Sequence, residues 1–488
     1  MLLFSESQWE NMQNMKLLFV EPPKDYWFVM GEYLPPPYGL LQLAAYVEDK
    51  IKDVEIEVAD CQAKQLDWNG LKKEIESFNP DIVASSGFAT CNAYTVVRTL
   101  ELAKEVNPEI LTVTGGQHFT STAQESLKTY PEIDVIVRGE GEQTITEVVR
   151  NAKNKVSFPK IKGIFFRHNE EIVHNPARPL IKDLNELPFP GYHFVKDYVR
   201  NYHFAAMAGR NAPYASIEGS RGCAHRCTFC TQWRHWQGTW RLKTPERIAD
   251  EMEFCYNNYG SRFIWFTDDN FGLEGRAGRV TDELLKRRLG DDLMWFLQWR
   301  CDDVIQNADV LPKMRKAGLH WVMMGVESPR GTTLKKFKKG INPDDAKKAI
   351  GLLNENGIFG HAMFIIGERE DTAESIASVR DFANELDPDF AIFTALTPFP
   401  GTEIFEEAKR NGWIEDWNWA HYDMAHAIMP TETLSRKEVQ EELYRCYRSF
   451  YGSWRRRFEG VLSGNALKRR IYWHMAGKGV VRQFRALF

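Results

Sequence analysis

The sequence predicts an α/β protein with a mainly helical C-terminal region, and three observations carry that prediction. Short apolar runs alternate with helical patterns over residues 16–150, and they do so again over 210–396. Crossovers of this length between strand-like runs give parallel sheets covered by helices. The third observation is bulk: 488 residues, 43% hydrophobic and 26% charged, supply about three cores at roughly 100–200 residues each. That composition excludes a disordered or collagenous chain. The net charge of −5 excludes a general polyanion binder, and eight cysteines are too few for a disulfide scaffold. No apolar run reaches the roughly 18 residues of a spanning helix, and no basic stretch precedes Leu2–Phe4, which points to a cytoplasmic protein. Met15, just ahead of the Leu17–Val20 run, reads as a native start, with residues 1–14 as an extension.

The first domain, 16–150, is built from Leu17–Val20, Val54–Val58, Ile82–Ser85, Ile110–Val113 and Val135–Val137. Helical stretches such as Tyr38–Glu48, Thr95–Val106 and Gln143–Asn151 separate these runs. The pattern is that of a doubly wound sheet, whose ligands bind at the carboxyl ends of strands. Three such ends carry small residues that admit a large ligand close to the backbone. They are Ser85-Ser86-Gly87, Gly115-Gly116-Gln117-His118 and Arg138-Gly139-Glu140-Gly141-Glu142. Ordinary turn glycines are the plainer alternative. The order of these features resembles a cobalamin-binding domain, with its serine after the third strand, Gly-Gly after the fourth and an Arg-Gly-Glu-Gly-Glu loop after the fifth. The resemblance assigns Ser85, Ser86, Gly115, Gly116 and Gln117 to the cobalamin site, joined by Val135, Gly139 and Glu140. One motif departs. Where methionine-synthase-type domains have Asp-x-His-x-x-Gly, this chain has Asp60-Cys61-Gln62-Ala63-Lys64-Gln65, so no histidine from that motif is expected below the cobalt.

Residues 151–209 read as a strand-bearing linker, in which Ile161–Arg167 and Glu171–Val173 form a hairpin. Next comes Cys223-Ala224-His225-Arg226-Cys227-Thr228-Phe229-Cys230. Three thiolates at this spacing on one loop can converge on a soft metal centre. Zinc would want a fourth protein ligand, for which His225 or His235 is available. Three cysteines alone suit a [4Fe–4S] cluster with one iron open. The remaining five, Cys61, Cys91, Cys255, Cys301 and Cys446, are scattered and read mostly as buried small hydrophobes. The loop resembles the signature of radical S-adenosylmethionine (SAM) enzymes, including the aromatic Phe229, which the resemblance adds to the cofactor-binding residues. It implies a cluster held by Cys223, Cys227 and Cys230, with SAM chelated to the fourth iron. It also implies one-electron cleavage of SAM to methionine and a 5′-deoxyadenosyl radical, the protein supplying position and exclusion of side reactions.

The same resemblance implies a partial (β/α)6 barrel over 210–396. Strand-like runs agree: Tyr214–Glu218, Phe263–Thr267, Met294–Arg300, Trp321–Val326, Ala362–Ile366 and Phe390–Thr394. Between them lie helical patterns at Pro245–Tyr256, Asp282–Leu289, Val310–Ala317, Asp344–Asn356 and Ala373–Leu386. Thr244 suits an N-cap and Pro245 a first turn, while Gly318 and Gly357 sit where helices end. Functional side chains of such barrels collect at the carboxyl ends of strands. The elements there, Asp268-Asp269-Asn270-Phe271, Gln298-Trp299-Arg300 and Gly325-Val326-Glu327-Ser328, are similar to those of the family. They assign Asp268, Arg300, Gly325 and Glu327 to the SAM pocket; strand caps and surface ion pairs are the alternative.

A cobalamin domain ahead of a radical SAM barrel defines a recognised class. Within it, Cys227-Thr228-Phe229-Cys230-Thr231-Gln232-Trp233 with Trp236 and Trp240-Arg241 resembles the anaerobic Mg-protoporphyrin monomethyl ester cyclase group. The class reaction implied is methylation of an unactivated carbon; the cyclase branch implies oxidative ring closure on a porphyrin. A non-catalytic cobalamin or metal sensor is the reading from another class. Expected partners are a small-molecule, tetrapyrrole, lipid or protein substrate and an electron donor such as flavodoxin or ferredoxin, with no nucleic acid. The C-terminal domain, 397–488, is helical around Arg436–Phe450. From Trp454 onward it carries nine Lys or Arg against Glu459, interleaved with Phe458, Tyr472, Trp473 and Phe484. That mixture suits an anionic partner such as a membrane surface, or simply a solvated helical face.

Overall fold

Leu17, Leu18, Phe19 and Val20 are consecutive and all inaccessible to solvent, the mark of a strand covered on both faces. They lie in β1 (Met15–Glu21) of a seven-stranded sheet in a computed structural model that describes residues 15–23, 33–168, 171–208, 212–272 and 275–478. Residues 1–14, and Arg482, Phe484 and Arg485 of the basic stretch, lie outside the described residues. The chain divides into two units, Met1–Asp25 with Pro36–Asn201 and Tyr26–Pro35 with Tyr202–Phe488.

The first unit holds β1, β2 (Val54–Asp60), β3 (Ile82–Ser86), β4 (Leu111–Gly115), β5 (Val135–Val137), β6 (Ile164–His168) and β7 (Glu171–His174), in the order β2-β1-β3-β4-β5-β6-β7. The first five are parallel, joined by helices at Tyr38–Lys50, Trp68–Phe78, Ala93–Val106 and Gly116–Thr129. The edge strand β2 turns Glu55 and Glu57 to solvent, a charge guard against stray pairing. The hairpin expected in the linker is present as β6 and β7, and it extends this sheet antiparallel from β5. Strand order reverses at β1, whose neighbours are β2 on one side and β3 on the other. That reversal opens a crevice beyond the carboxyl ends, where open α/β sheets bind ligands.

The second unit is a six-stranded parallel sheet in sequential order: β8 (Tyr214–Ile217), β9 (Phe263–Phe266), β10 (Met294–Trp299), β11 (Leu319–Glu327), β12 (Phe359–Ile366) and β13 (Phe390–Ala395). Helices Pro245–Tyr259, Pro343–Glu355 and Ala373–Leu386 follow the expected positions. Thr244 caps the first by accepting from the Arg247 amide, with Pro245 beginning the helix. Gly318 and Gly357 take positive φ values of 100° and 64°, which the missing Cβ permits. One helix was expected at Asp282–Leu289 and instead spans Arg276–Lys286. The reason is Arg276, a buried cation (2% exposed) bonded to the Gly219 and Phe271 carbonyls, which breaks the apolar period at the true helix start.

The open edge, β13, is closed by the helix Arg436–Gly452. Tyr447 donates to the Phe393 carbonyl at 2.7 Å and accepts from the Phe393 amide at 3.2 Å. Tyr451 does the same at Ala391, at 2.7 and 3.0 Å. Residues four apart on the helix thus serve residues two apart on the strand. Ser435 and Glu438 fix the helix start as a reciprocal capping box. Short helices Trp454–Val461 and Ala466–Lys478 follow.

Candidate cofactor-binding site

The cysteine loop leaves a short antiparallel ribbon, Ser220–Gly222 against Trp240–Leu242. Gly222 has φ +94°, and a Cβ there would lie 2.1 Å from the Thr239 carbonyl, so no other residue allows the chain to turn into Cys223. The loop is held at several points. Trp233 donates from its indole to the Cys227 carbonyl at 3.0 Å. The Thr228 amide donates to Phe337 O at 3.1 Å, and Ile404 N donates to Thr228 O at 3.4 Å. Phe229 packs edge-to-face on Phe337 at 5.1 Å, beside a core cluster of Leu396, Phe405 and Ile428. All three thiols are free. Burial raises Cys230 to about 12, with Cys223 and Cys227 close enough to add to the rise. Burial also raises Cys227, against the pull of Lys339 and Arg300. Among the described residues no three His, Cys, Asp or Glu side chains stand in metal-holding geometry. The fit therefore rests on the donors: three soft sulfurs on one braced loop, with the buried Lys339 and Arg300 favouring the Cys227 thiolate and Arg300 that of Cys223.

Two strand ends converge on that loop. Arg300, at the end of β10, is buried (6%), bidentate to Asp302 at 2.9 and 3.1 Å, and donates to Lys339 O at 2.7 Å. Glu327, ending β11, is buried in a left-handed conformation, φ +64°. Its carboxylate accepts from Lys339 Nζ at 2.6 Å. Burial lowers the pKa of Lys339, but the charges of Glu327 and Cys227 outweigh it and the net shift is upward. Gly325 makes room: a Cβ there would lie 2.2 Å from Glu327 Oε1 and 2.5 Å from Lys339 Nζ. Asp268 is fully buried, and its carboxylate accepts from Gly219 N at 2.7 Å, Ser220 Oγ at 2.5 Å and Arg276 at 3.4 Å. It pins the strand that leads into the cysteines. Its neighbour Asp269, raised to about 7 by burial, is the carboxylate that acts on Cys223 and Cys230. Sequence reasoning missed Lys339 and Asp269. The first hides in a run of lysines, and the second sits beside a residue that matched a motif.

In the first unit, Ser85 and Thr114 are register partners on β3 and β4, as are Ser86 and Gly115. Ser85 Oγ and Thr114 Oγ1 are buried with no hydrogen-bond partner, which is costly unless a ligand completes them. Gly116 has φ +86°, and a Cβ there would stand 2.8 Å from the Gly87 backbone and 2.9 Å from Ser86 Oγ. Gln117 lies in the first turn of the following helix, half-buried. Gly139 donates to Thr120 Oγ1 at 3.2 Å, Glu140 accepts from Ile181 N at 2.7 Å, and Val135 is a core residue paired with Val113. Orphaned hydroxyls and a bare glycine backbone at the carboxyl ends of β3 and β4, next to the strand-order reversal, fit a large ligand such as cobalamin.

A doubly wound α/β unit followed by a parallel α/β unit with a three-cysteine loop defines a protein built to hold a large cofactor and a soft metal centre. Residues 217–383 match the Radical SAM superfamily and residues 30–149 the B12 binding domain. The chain is 31% identical over 445 residues to an uncharacterized methyltransferase of Pyrococcus horikoshii, covering 90% of this chain and 93% of that protein. It is 30% identical over 453 residues to the anaerobic magnesium-protoporphyrin IX monomethyl ester cyclase of Rubrivivax gelatinosus, covering 90% and 77%. The radical SAM methyltransferase TsrM of Kitasatospora setae, solved with cobalamin and a [4Fe–4S] cluster, superposes with TM-score 0.69 at 19% identity, covering 89% of each chain. The chain belongs to the cobalamin-dependent radical SAM family. It is an enzyme whose cofactors are a [4Fe–4S] cluster, SAM and cobalamin, which sets aside the zinc and sensor alternatives. Among the described residues no helix is long and apolar enough to cross a membrane.

Proposed function

We propose that this enzyme is a cytoplasmic C-methyltransferase acting on an unactivated carbon, built from a cobalamin domain (16–150), a linker (151–209), a radical barrel (210–396) and a helical cap (397–488). The conjunction of the braced Cys223-Cys227-Cys230 loop with the Arg300–Lys339–Glu327 group beside it carries the radical SAM part of the reading, and the likeness to a methyltransferase over 90% of this chain supports methylation. The cluster, when bound, supplies the electron that cleaves SAM. The chain's own residues do the rest. Arg300 and Lys339 offer cations to a carboxylate, and Glu327 offers an acceptor to an ammonium or ribose hydroxyl. Gly325 keeps the backbone clear, and Asp268 fixes the strand entering the loop. Phe229 buttresses the loop from the side of Phe337. Ser85, Thr114 and Gly116 hold cobalamin at the first unit.

Cys227→Ala tests the core of this reading: after anaerobic reconstitution it should make no 5′-deoxyadenosine, and any continued formation refutes it. The match to a magnesium-protoporphyrin cyclase supports oxidative cyclisation as the second reading. Extracts of cells with and without the gene, fed methionine labelled in its methyl group, separate the two. A product that carries the label is a methylation product; a new unlabelled ring compound sinks the methylation reading. The exposed Trp454, Phe458, Leu462 and Trp473, with Arg455, Arg457 and Arg469 around them, support contact with an anionic membrane surface. Liposome co-sedimentation that survives deletion of 454–488 would remove that part.

A further inference from the structure

The cluster loop lies in a stretch without acids. Residues 219–245 contain Arg221, Arg226, Arg234, Arg241 and Lys243 and neither Asp nor Glu, in a chain of net charge −5. The fold sorts these cations. Arg221 pairs inward with Glu218 at 2.8 Å, and Lys243 with Glu251 at 2.7 Å. Arg241 is half-buried over Trp236, 5.6 Å from the ring centroid. Arg226 and Arg234 remain exposed, and both guanidinium groups stand over Trp233, at 5.9 and 5.0 Å. Trp233 is the residue bonded to the Cys227 carbonyl.

A second basic run meets the same loop. Lys335, Lys336 and Lys338 are exposed, and Thr228 ties them to the cysteines through Phe337 O at 3.1 Å and Lys336 O at 3.3 Å. Lys336 is paired with Glu368 and Glu370, and Lys338 with Glu403. Arg226, Arg234 and Lys335 have no ion pair among the described residues. Two of these uncompensated surface cations stand over the indole bonded to Cys227, and the third lies on the helix beside the segment that Thr228 ties to the same loop.

We propose that Arg226, Arg234 and Lys335 form the docking surface for a small acidic protein that carries one electron on a flavin or iron–sulfur centre. The proposal rests on the cysteine loop being the cluster site. In the transfer the donor's reduced centre loses one electron and the centre held by Cys223, Cys227 and Cys230 gains it. No bond forms or breaks. Carboxylates on the partner would meet planar guanidinium forks, which recognise them with two parallel hydrogen bonds. Opposite charge chiefly raises the rate of encounter and makes it sensitive to salt.

The test uses the full chain and an acidic flavodoxin. Binding of oxidised flavodoxin to the immobilised protein is measured by interferometry across ionic strength, which needs no turnover. The Arg226→Glu/Arg234→Glu double variant should bind about tenfold more weakly and lose most of its salt dependence. Arg226→Lys/Arg234→Lys, which keeps the charge but loses the fork, should bind between the wild type and the Glu variant and keep the salt dependence. With dithionite, a small reductant that needs no docking, Lys335→Glu, which lies outside the cysteine loop, should still form 5′-deoxyadenosine within about twofold of wild type, since rim charges act on encounter. Unchanged flavodoxin affinity in the Glu variant overturns the proposal, and so does an equal loss with dithionite in Lys335→Glu. If the double variant fails to fold, Lys335→Glu should show the same selective loss, and its absence overturns the proposal equally. Wild-type protein that makes no 5′-deoxyadenosine with dithionite would instead defeat the cluster reading itself.

Discussion

Replacing Gly222 by alanine should unseat the cysteine loop, and its cost can be worked from two contributions. At φ +94° an L-residue pays about 1–2 kcal/mol for the left-handed conformation. The new Cβ would also meet Thr239 O at 2.1 Å, so the ribbon pairing Gly222 with Trp240 must open, with a further loss of about 1 kcal/mol per hydrogen bond. The sum, about 2–3 kcal/mol, corresponds to a fall in Tm of roughly 3–5 °C for a unit of this size. Gly260→Ala is the control: φ is +66° and nothing lies within 4 Å of a Cβ, so only the conformational cost of about 1–2 kcal/mol applies. Melting of the two apo-variants by near-UV circular dichroism, with iron content after reconstitution, gives the comparison. Gly222→Ala should melt below Gly260→Ala and bind less iron. Equal melting and full iron loading would show that the ribbon contact does not hold the loop, and the reasoning would fail.

Three further predictions concern buried charge. Lys339→Met strips Glu327 of its partner, at a cost of about 3–5 kcal/mol for a buried pair broken on one side. Urea unfolding should show that loss, and the KM for SAM should rise more than kcat falls. Asp268→Asn leaves the buried Arg276 guanidinium without its counter-charge, for a similar loss of about 3–5 kcal/mol. An Asp268→Leu/Arg276→Met pair should recover much of it, and a double variant less stable than Asp268→Asn would contradict this. His361 is buried and receives the Trp321 indole N–H on Nδ1 at 3.3 Å, and burial holds its pKa down to about 3. Its folded value lies below the unfolded one, so the neutral ring's contribution is complete above about pH 6.5 and shrinks as pH falls. That amounts to about 2 kcal/mol between pH 6.5 and 5. Urea midpoints should decline over that interval and decline less in His361→Gln; parallel slopes would exclude His361 as the cause.

Much of the architecture was legible because it is written in periods and caps. Leu17–Val20 can only be a strand covered on both faces, and Thr244-Pro245 announces a helix start in two residues. The failures share one physical origin, charged side chains buried by tertiary pairing. Arg276 reads as surface in any sequence window, yet it belongs to the interior because Asp268 and two carbonyls receive it. Lys339 is one of four lysines within five residues, and nothing local distinguishes it from its exposed neighbours. Only the left-handed turn that folds Glu327 back shows which lysine points inward. For the cobalamin unit, Ser85 and the Gly115-Gly116 pair were visible as small residues at strand ends. The matching hydroxyl of Thr114 became apparent only when register set it beside Ser85.

The pair Tyr447 and Tyr451 has a consequence for how this chain could be cut. A parallel sheet that stops at six strands without closing leaves a row of backbone donors and acceptors on each edge strand, and β13 carries one of the two. Two phenols on a helix from outside the barrel occupy it at Ala391 and Phe393. A fragment ending before Arg436 would therefore present a bare, apolar, ready-made template to the next copy of itself. Such a fragment should accumulate as filaments or insoluble aggregate, even though every strand of the barrel is present. The C-terminal helix thereby acts as an internal guard against self-association, and trimming this enzyme to its apparent catalytic barrel would be the wrong way to simplify it.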